Sequence, residues 1–190
     1  MEQWLVPTGV VALAEIGDKT QLLALVLATR FRKPLPIILG ILVATALNHA
    51  LAGAVGSWIA AAVGPSALRW ILGLSFIAMA AWTLVPDRCD EAEGRVTPRL
   101  GVFTTTLVAF FLVEMGDKTQ IATVALAAKY ASLAAVVVGT TAGMLLANVP
   151  AVLLGEVAAK KLPLGLVRSI AAGIFALLGT LVLGGFGAGA

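Results

Sequence analysis

The chain has 190 residues, of which 60% are hydrophobic and only 12% are charged, against about 25% charged in an ordinary soluble domain. That balance excludes a soluble globular domain and reads as an integral membrane protein with almost no soluble part. The net charge of +3 is small and sits in loops, which fits a positive-inside membrane bias and argues against nucleic acid as a partner.

Taken in order, the chain holds six apolar segments, at 4–29, 35–62, 68–85, 100–128, 133–159 and 164–186. About 20 residues suffice to span a bilayer. Period-2 alternation is absent, so the segments read as helices rather than barrel strands. Residues 1–7 lack the basic stretch of a signal peptide. The first, second, fourth and fifth segments exceed a straight crossing, which tilt or a local break would absorb. Gly17 and Gly116 are the candidate break points, since glycine weakens a helix interior. The single cysteine, Cys89, forms no intrachain disulfide and says little about compartment.

The one substantial loop, 86–99, carries Asp87, Arg88, Asp90, Glu91, Glu93, Gly94, Arg95 and Pro98, a linker composition. It divides two copies of one unit. At an offset of 99, Glu15 falls on Glu114, Asp18 on Asp117, Gly40 on Gly139, Arg69 on Arg168 and Phe76 on Phe175, the mark of an internal duplication. An odd number of helices per copy makes the second enter from the opposite side. The predicted fold is therefore all-α, with six transmembrane helices as two inverted-topology three-helix repeats. The first repeat is 1–86, the linker 87–99 and the second repeat 100–190. Arg30, Arg32, Lys33, Arg88, Arg95, Arg99, Lys160, Lys161 and Arg168 crowd one side, against Arg69 and Lys129 on the other. The crowded side is predicted to be cytoplasmic, with the linker there and both termini outside.

The second helix of each copy carries small residues at four-residue spacing: Gly40, Ala44, Asn48, Ala52, Gly56 and Ala60, then Gly139, Gly143, Ala147, Ala151, Gly155 and Ala159. Such stripes let backbones approach closely in lipid. They are also compatible with a homodimer, but one chain satisfies them equally well. Asn48 interrupts the first stripe, and Asn148 adjoins the matching position in the second. Each amide either ties helices together or faces a site.

The chemistry concentrates in Glu15-Ile16-Gly17-Asp18-Lys19-Thr20-Gln21 and Glu114-Met115-Gly116-Asp117-Lys118-Thr119-Gln120. Six charges inside apolar segments cost roughly 15–20 kcal/mol gross on insertion scales, which makes them a functional-site hypothesis by default. Glutamate and aspartate three apart share a helix face. Thr20, Gln21, Thr119 and Gln120 add neutral oxygens. Hard oxygens suit Mn²⁺, Ca²⁺ and Mg²⁺, and the absence of thiolates disfavours soft metals. Glu15, Asp18, Glu114 and Asp117 bring four negative charges and Lys19 and Lys118 two positive ones. If the motifs meet, the remainder equals one divalent cation or a replacement set of protons. The competing structural reading is a pair of i,i+4 salt bridges, Glu15 with Lys19 and Glu114 with Lys118.

His49, the only histidine, either ligates metal, relays protons, or packs and hydrogen-bonds; its counterpart is Asn148. Glu156 reads as a solvated interfacial carboxylate, and Arg69 and Arg168 as anchors of helix ends. Trp4, Trp58, Trp70 and Trp82 read as belt residues.

On these paired motifs the chain closely resembles the Glu-x-Gly-Asp-Lys-Ser/Thr family, catalogued as uncharacterised protein family 0016, over its whole length. The resemblance implies a secondary transporter of Mn²⁺ or Ca²⁺ working as a cation/proton antiporter, with no cofactor beyond the transported ion. It implies Glu15, Asp18, Glu114 and Asp117 as metal-binding residues, with Lys19, Thr20, Lys118 and Thr119 in support. It also implies a bacterial plasma-membrane member exporting Mn²⁺. Three other readings compete. One is a Ca²⁺/H⁺ antiporter of the same architecture. Another is an intramembrane enzyme such as a lipid pyrophosphatase, which would want phosphate-handling arginines near the carboxylates. The third is a channel built on acidic rings.

Overall fold

The computed structural model describes residues 1–85, 101–154 and 164–185. Eight α-helices are found there: α1 Glu2–Glu15, α2 Lys19–Phe31, α3 Pro34–Ala62, α4 Pro65–Thr83, α5 Val102–Glu114, α6 Lys118–Lys129, α7 Leu133–Leu154 and α8 Leu164–Leu183. Among the described residues there is no strand. The expected linker and its arginines, Cys89, Gly155, Glu156, Ala159, Lys160 and Lys161 lie outside the described residues.

Two of the apolar segments are divided at the glycines that the sequence offers as break points. The first becomes α1 and α2, the fourth α5 and α6, and in both the break falls inside the motif. Gly17 adopts φ +82° and Gly116 φ +78°, a region glycine reaches without the steric penalty of a Cβ. Elsewhere local chemistry sets the helix ends. Proline opens both α3 and α4, where its missing N–H is no loss.

Four helices, α3, α4, α7 and α8, are long and apolar enough to cross a membrane, and α5 is a shorter apolar helix. Their outward faces carry Leu47, Leu51, Leu74, Leu146 and Leu177, side chains that lipid solvates and water does not.

The packing is reciprocal between the two halves. α1 lies against α7, α3 against α5 and α6, and α4 against α8. Small residues make the first two contacts close. A Cβ on Gly40 would stand 2.9 Å from the Phe103 carbonyl oxygen, and one on Gly143 2.9 Å from the Ala12 nitrogen. The stripes are thus backbone-contact surfaces at these positions. Between α4 and α8, the buried rings of Phe76 and Phe175 lie 6.3 Å apart, inclined by 25°. These two residues occupy the same position in the two copies, so the halves touch through equivalent side chains. Trp4, Trp58, Trp70 and Trp82 are all exposed.

Candidate functional site

Each break brings together a helix C-terminus ending in glutamate and a helix N-terminus opening at aspartate. Glu15 is the last residue of α1 and Glu114 the last of α5, while Asp18 and Asp117 occupy the N-cap positions of α2 and α6. Neither aspartate side chain caps its own helix. The aspartates therefore lie at the positive ends of helix dipoles and the glutamates at the negative ends. A cation is favoured beside the glutamates.

The backbone of each break is closed locally. Asp18 N–H donates to the Glu15 carbonyl at 3.0 Å, and Asp117 N–H to the Glu114 carbonyl at 3.2 Å. The glycine N–H groups donate to glutamine side chains: Gly17 to Gln21 Oε1 at 2.9 Å and Gly116 to Gln120 Oε1 at 2.6 Å. Glutamine oxygens that the sequence offered as ion ligands thus serve as backbone acceptors. The threonines turn inward. Thr20 Oγ1 donates to Glu15 Oε1, and Thr119 Oγ1 donates to Glu114 Oε2 at 3.0 Å.

Each lysine pairs with the aspartate of the other motif. Lys118 Nζ lies 3.1 Å from Asp18 Oδ1, and Lys19 Nζ lies 3.3 Å from Asp117 Oδ1. The two motifs therefore meet, through reciprocal ion pairs between equivalent residues. The i,i+4 pairing of Glu15 with Lys19 and of Glu114 with Lys118 is not what these atoms do. A break between each glutamate and its lysine removes the helical register that such a pair requires.

The four carboxylates are all buried but do not close into one ligand cluster in this arrangement. Among the described residues, no three His, Cys, Asp or Glu side chains are grouped to hold a metal ion. Lysines occupy one oxygen of each aspartate. Several buried oxygens meanwhile lack a hydrogen bond: Glu15 Oε2, Glu114 Oε1, Asp117 Oδ2, Asn48 Oδ1 and Asn148 Oδ1. Leaving such groups unmatched in a dry interior is costly. Oxygens such as these are what hard divalent cations take.

Asn48 and Asn148 are fully buried. Asn48 Nδ2 donates to the Phe111 carbonyl at 3.0 Å, tying α3 to α5, and Asn148 Nδ2 donates to Met144 O at 3.1 Å within α7. His49 is also fully buried, and neither ring nitrogen has a hydrogen-bond partner.

Arg168 plays a part that its place at the start of α8 did not suggest. Its Nη2 donates to the Gly17 carbonyl at 3.4 Å, and it lines a small recess with Asp18, Lys118 and Thr83. The signal was available only as the offset partner of Arg69; nothing local marks it.

The family model described as "Divalent cation/proton antiporter GDT1" matches residues 3–91 and 102–186. The chain is 56% identical over 169 residues to a protein of Vibrio cholerae serotype O1 (strain ATCC 39541 / Classical Ogawa 395 / O395) named "Putative manganese exporter", covering 88% of this chain and 84% of that protein. No solved structure matches the chain.

Proposed function

The chain belongs to the divalent cation/proton antiporter family GDT1, a multi-pass membrane family of transporters and not enzymes, and from that premise we propose that it exports Mn²⁺ in exchange for protons. The ion is held between the two broken-helix motifs, with Glu15, Asp18, Glu114 and Asp117 as the acidic set. Lys19, Thr20, Gln21, Lys118, Thr119 and Gln120 hold those carboxylates and the breaks in place.

The observation that carries this reading is the pair of reciprocal ion contacts, Lys118 with Asp18 and Lys19 with Asp117, which makes one site out of two motifs. Six crossings arranged as two inverted repeats, 1–86 and 100–190, account for that reciprocity and for the contact between Phe76 and Phe175. Discontinuous helices meeting near the midplane are a recurrent transporter site, with access alternating as one repeat rocks against the other. Protons and a divalent cation compete because either relieves the repulsion among clustered carboxylates. We place the protein in the bacterial inner membrane with both termini outside, on the distribution of lysine and arginine. The carboxylate and amide oxygens suit Ca²⁺ as well as Mn²⁺, so a Ca²⁺/H⁺ exchanger is the second reading.

The test is flux in proteoliposomes under an imposed pH gradient, with Mn²⁺ and Ca²⁺ offered separately. Wild-type protein moves Mn²⁺ against protons, and Glu15→Gln and Glu114→Gln each abolish exchange. Unchanged flux in both variants refutes the site, and flux indifferent to the pH gradient refutes proton coupling.

A further inference from the structure

The acidic residues of the site are not equivalent to one another. Each aspartate is held by a lysine of the opposite motif, at 3.1 and 3.3 Å. Each glutamate is approached instead by a neutral threonine hydroxyl, while Glu15 Oε2, Glu114 Oε1 and also Asp117 Oδ2 are buried without a hydrogen bond. The two lysine–aspartate pairs cancel in charge. Within the two motifs the remaining formal charge is that of Glu15 and Glu114, equal and opposite to one divalent cation; Arg168, at the Gly17 carbonyl, lies outside that count. Both glutamates end a helix, where the dipole is negative and a cation gains.

The amide oxygens of Asn48 and Asn148 share this condition. Asn48 and Asn148 are fully buried, and each spends its amide N–H on a backbone carbonyl. That fixes the amide orientation and leaves Oδ1 as an acceptor with nothing to accept. Asn148 follows Ala147, whose carbonyl accepts from Gln21 Nε2 of the first motif at 3.0 Å. Asn48 is bonded to the carbonyl of Phe111, one turn before Glu114. A buried amide oxygen with no donor is what a hard cation completes.

We propose a division of labour: Glu15, Glu114, Asn48 and Asn148 supply the oxygens that hold the divalent cation, while Asp18 and Asp117 are anchors for the cross-motif lysines. This deepens the transport reading and rests on it. Asparagine enters as a neutral ligand of the ion, and the lysine–aspartate pairs are clamps that keep the two breaks facing each other without adding net charge.

The experiment is calorimetric titration of MnCl₂ into the purified full chain, with chromatographic homogeneity as the check on folding. Asp18→Ala removes both carboxylate oxygens and the Asp18 partner of Lys118, and weakens Mn²⁺ binding by about tenfold or more, as losing one partner of a buried charge pair does. The double variant Asp18→Ala with Lys118→Gln regains most of that loss. Were Asp18 a ligand, removing the lysine would not restore the lost oxygens, and a double variant as weak as the single overturns the proposal. The mirror pair, Asp117→Ala with Lys19→Gln, gives the same comparison if the first fails to fold.

Asn148→Asp and Asn48→Asp form the second arm. Aspartate keeps the oxygen and loses the amide donor. Retained or tighter Mn²⁺ binding supports a ligand oxygen, whereas binding lost as fully as in Asn148→Leu and Asn48→Leu means that the amides only tie helices, and overturns it. Loss of transport in Glu15→Gln and Glu114→Gln together with failure of both arms leaves the site standing and removes only this partition. Retained transport in those glutamine variants removes the site itself.

Discussion

The two helix breaks are nearly identical in sequence and unequal in their surroundings. At the first, Gln21 not only accepts from Gly17 N–H but also donates through Nε2 to the Ala147 carbonyl of α7 at 3.0 Å. Arg168 reaches the Gly17 carbonyl, and the Lys118 side chain beside Asp18 is only 4% exposed. At the second, Gln120 lines a cavity of about 360 Å³ with Asn48, Leu51, Phe111, Met115 and Val124, on the face that Leu51 turns to lipid. Met115 is 58% exposed, and the Lys19 side chain beside Asp117 is 21% exposed. Among the described residues, Gln120 has no counterpart to the Ala147 contact, and Arg69 does not reach Gly116. Two copies of one motif in one chain thus report two conditions: one break locked against α7 and α8, the other open to a cavity. In a protein built to alternate, unequal packing around equal residues is how a single arrangement favours one side.

The largest change to this comparison comes from removing the feature the breaks share. Gly17→Ala and Gly116→Ala each force a Cβ into a positive-φ backbone, at a cost of about 1–2 kcal/mol. At Gly116 a Cβ would meet nothing within 4 Å, so the cost there is conformational alone. Gly116→Asn is therefore milder than Gly116→Ala, because asparagine visits the left-handed region more readily. Vesicle flux and thermal stability, measured on both, check the ranking. Equal loss in the asparagine and alanine variants means that sterics rather than dihedral preference govern the break.

The glutamines come next. Gln21→Ala removes two hydrogen bonds and Gln120→Ala one. At about 1 kcal/mol per bond the first costs roughly 2 kcal/mol and the second half as much. Thermal melts of the two variants measure the difference. In a cysteine-free background made with Cys89→Ser, Gln120→Cys reacts with a membrane-permeant thiol reagent several-fold faster than Gln21→Cys. Equal rates remove the asymmetry between the breaks.

Much of this was legible beforehand. The apolar segments, the duplication at an offset of 99 and the costly charges of the two motifs follow from hydropathy and repetition alone. Gly17 and Gly116 marked the breaks because a glycine inside a charged stretch of a membrane helix has little other reason to be there. The lysine partners were not legible. Helical spacing points Lys19 at Glu15, and only the break, which rotates α2 relative to α1, sends it across to Asp117. The glutamines misled for a related reason: an oxygen counted as a ligand from composition is taken by the glycine N–H that the break exposes. Arg168 stayed hidden because its partner is a backbone carbonyl about 150 residues away, which no side-chain pattern records.

Arg168 supplies the smallest and most specific test. Its hydrogen bond to Gly17 is long, at 3.4 Å, and worth no more than about 1 kcal/mol. Arg168→Ala therefore leaves the fold intact and shifts the balance between the breaks. Gln21→Cys becomes more reactive and Gln120→Cys less so, since releasing the first break frees the arrangement in which the second is locked. Arg69→Ala, which removes no contact at Gly116 here, leaves both labelling rates near their starting values. Arg168→Lys restores part of the original pattern, because a cation at that position can still donate to the carbonyl, though without the reach of the guanidinium fork. A uniform rise in labelling at both glutamine positions would mean that Arg168 merely stabilises α8. A reciprocal change identifies it as the latch that makes the two breaks unequal.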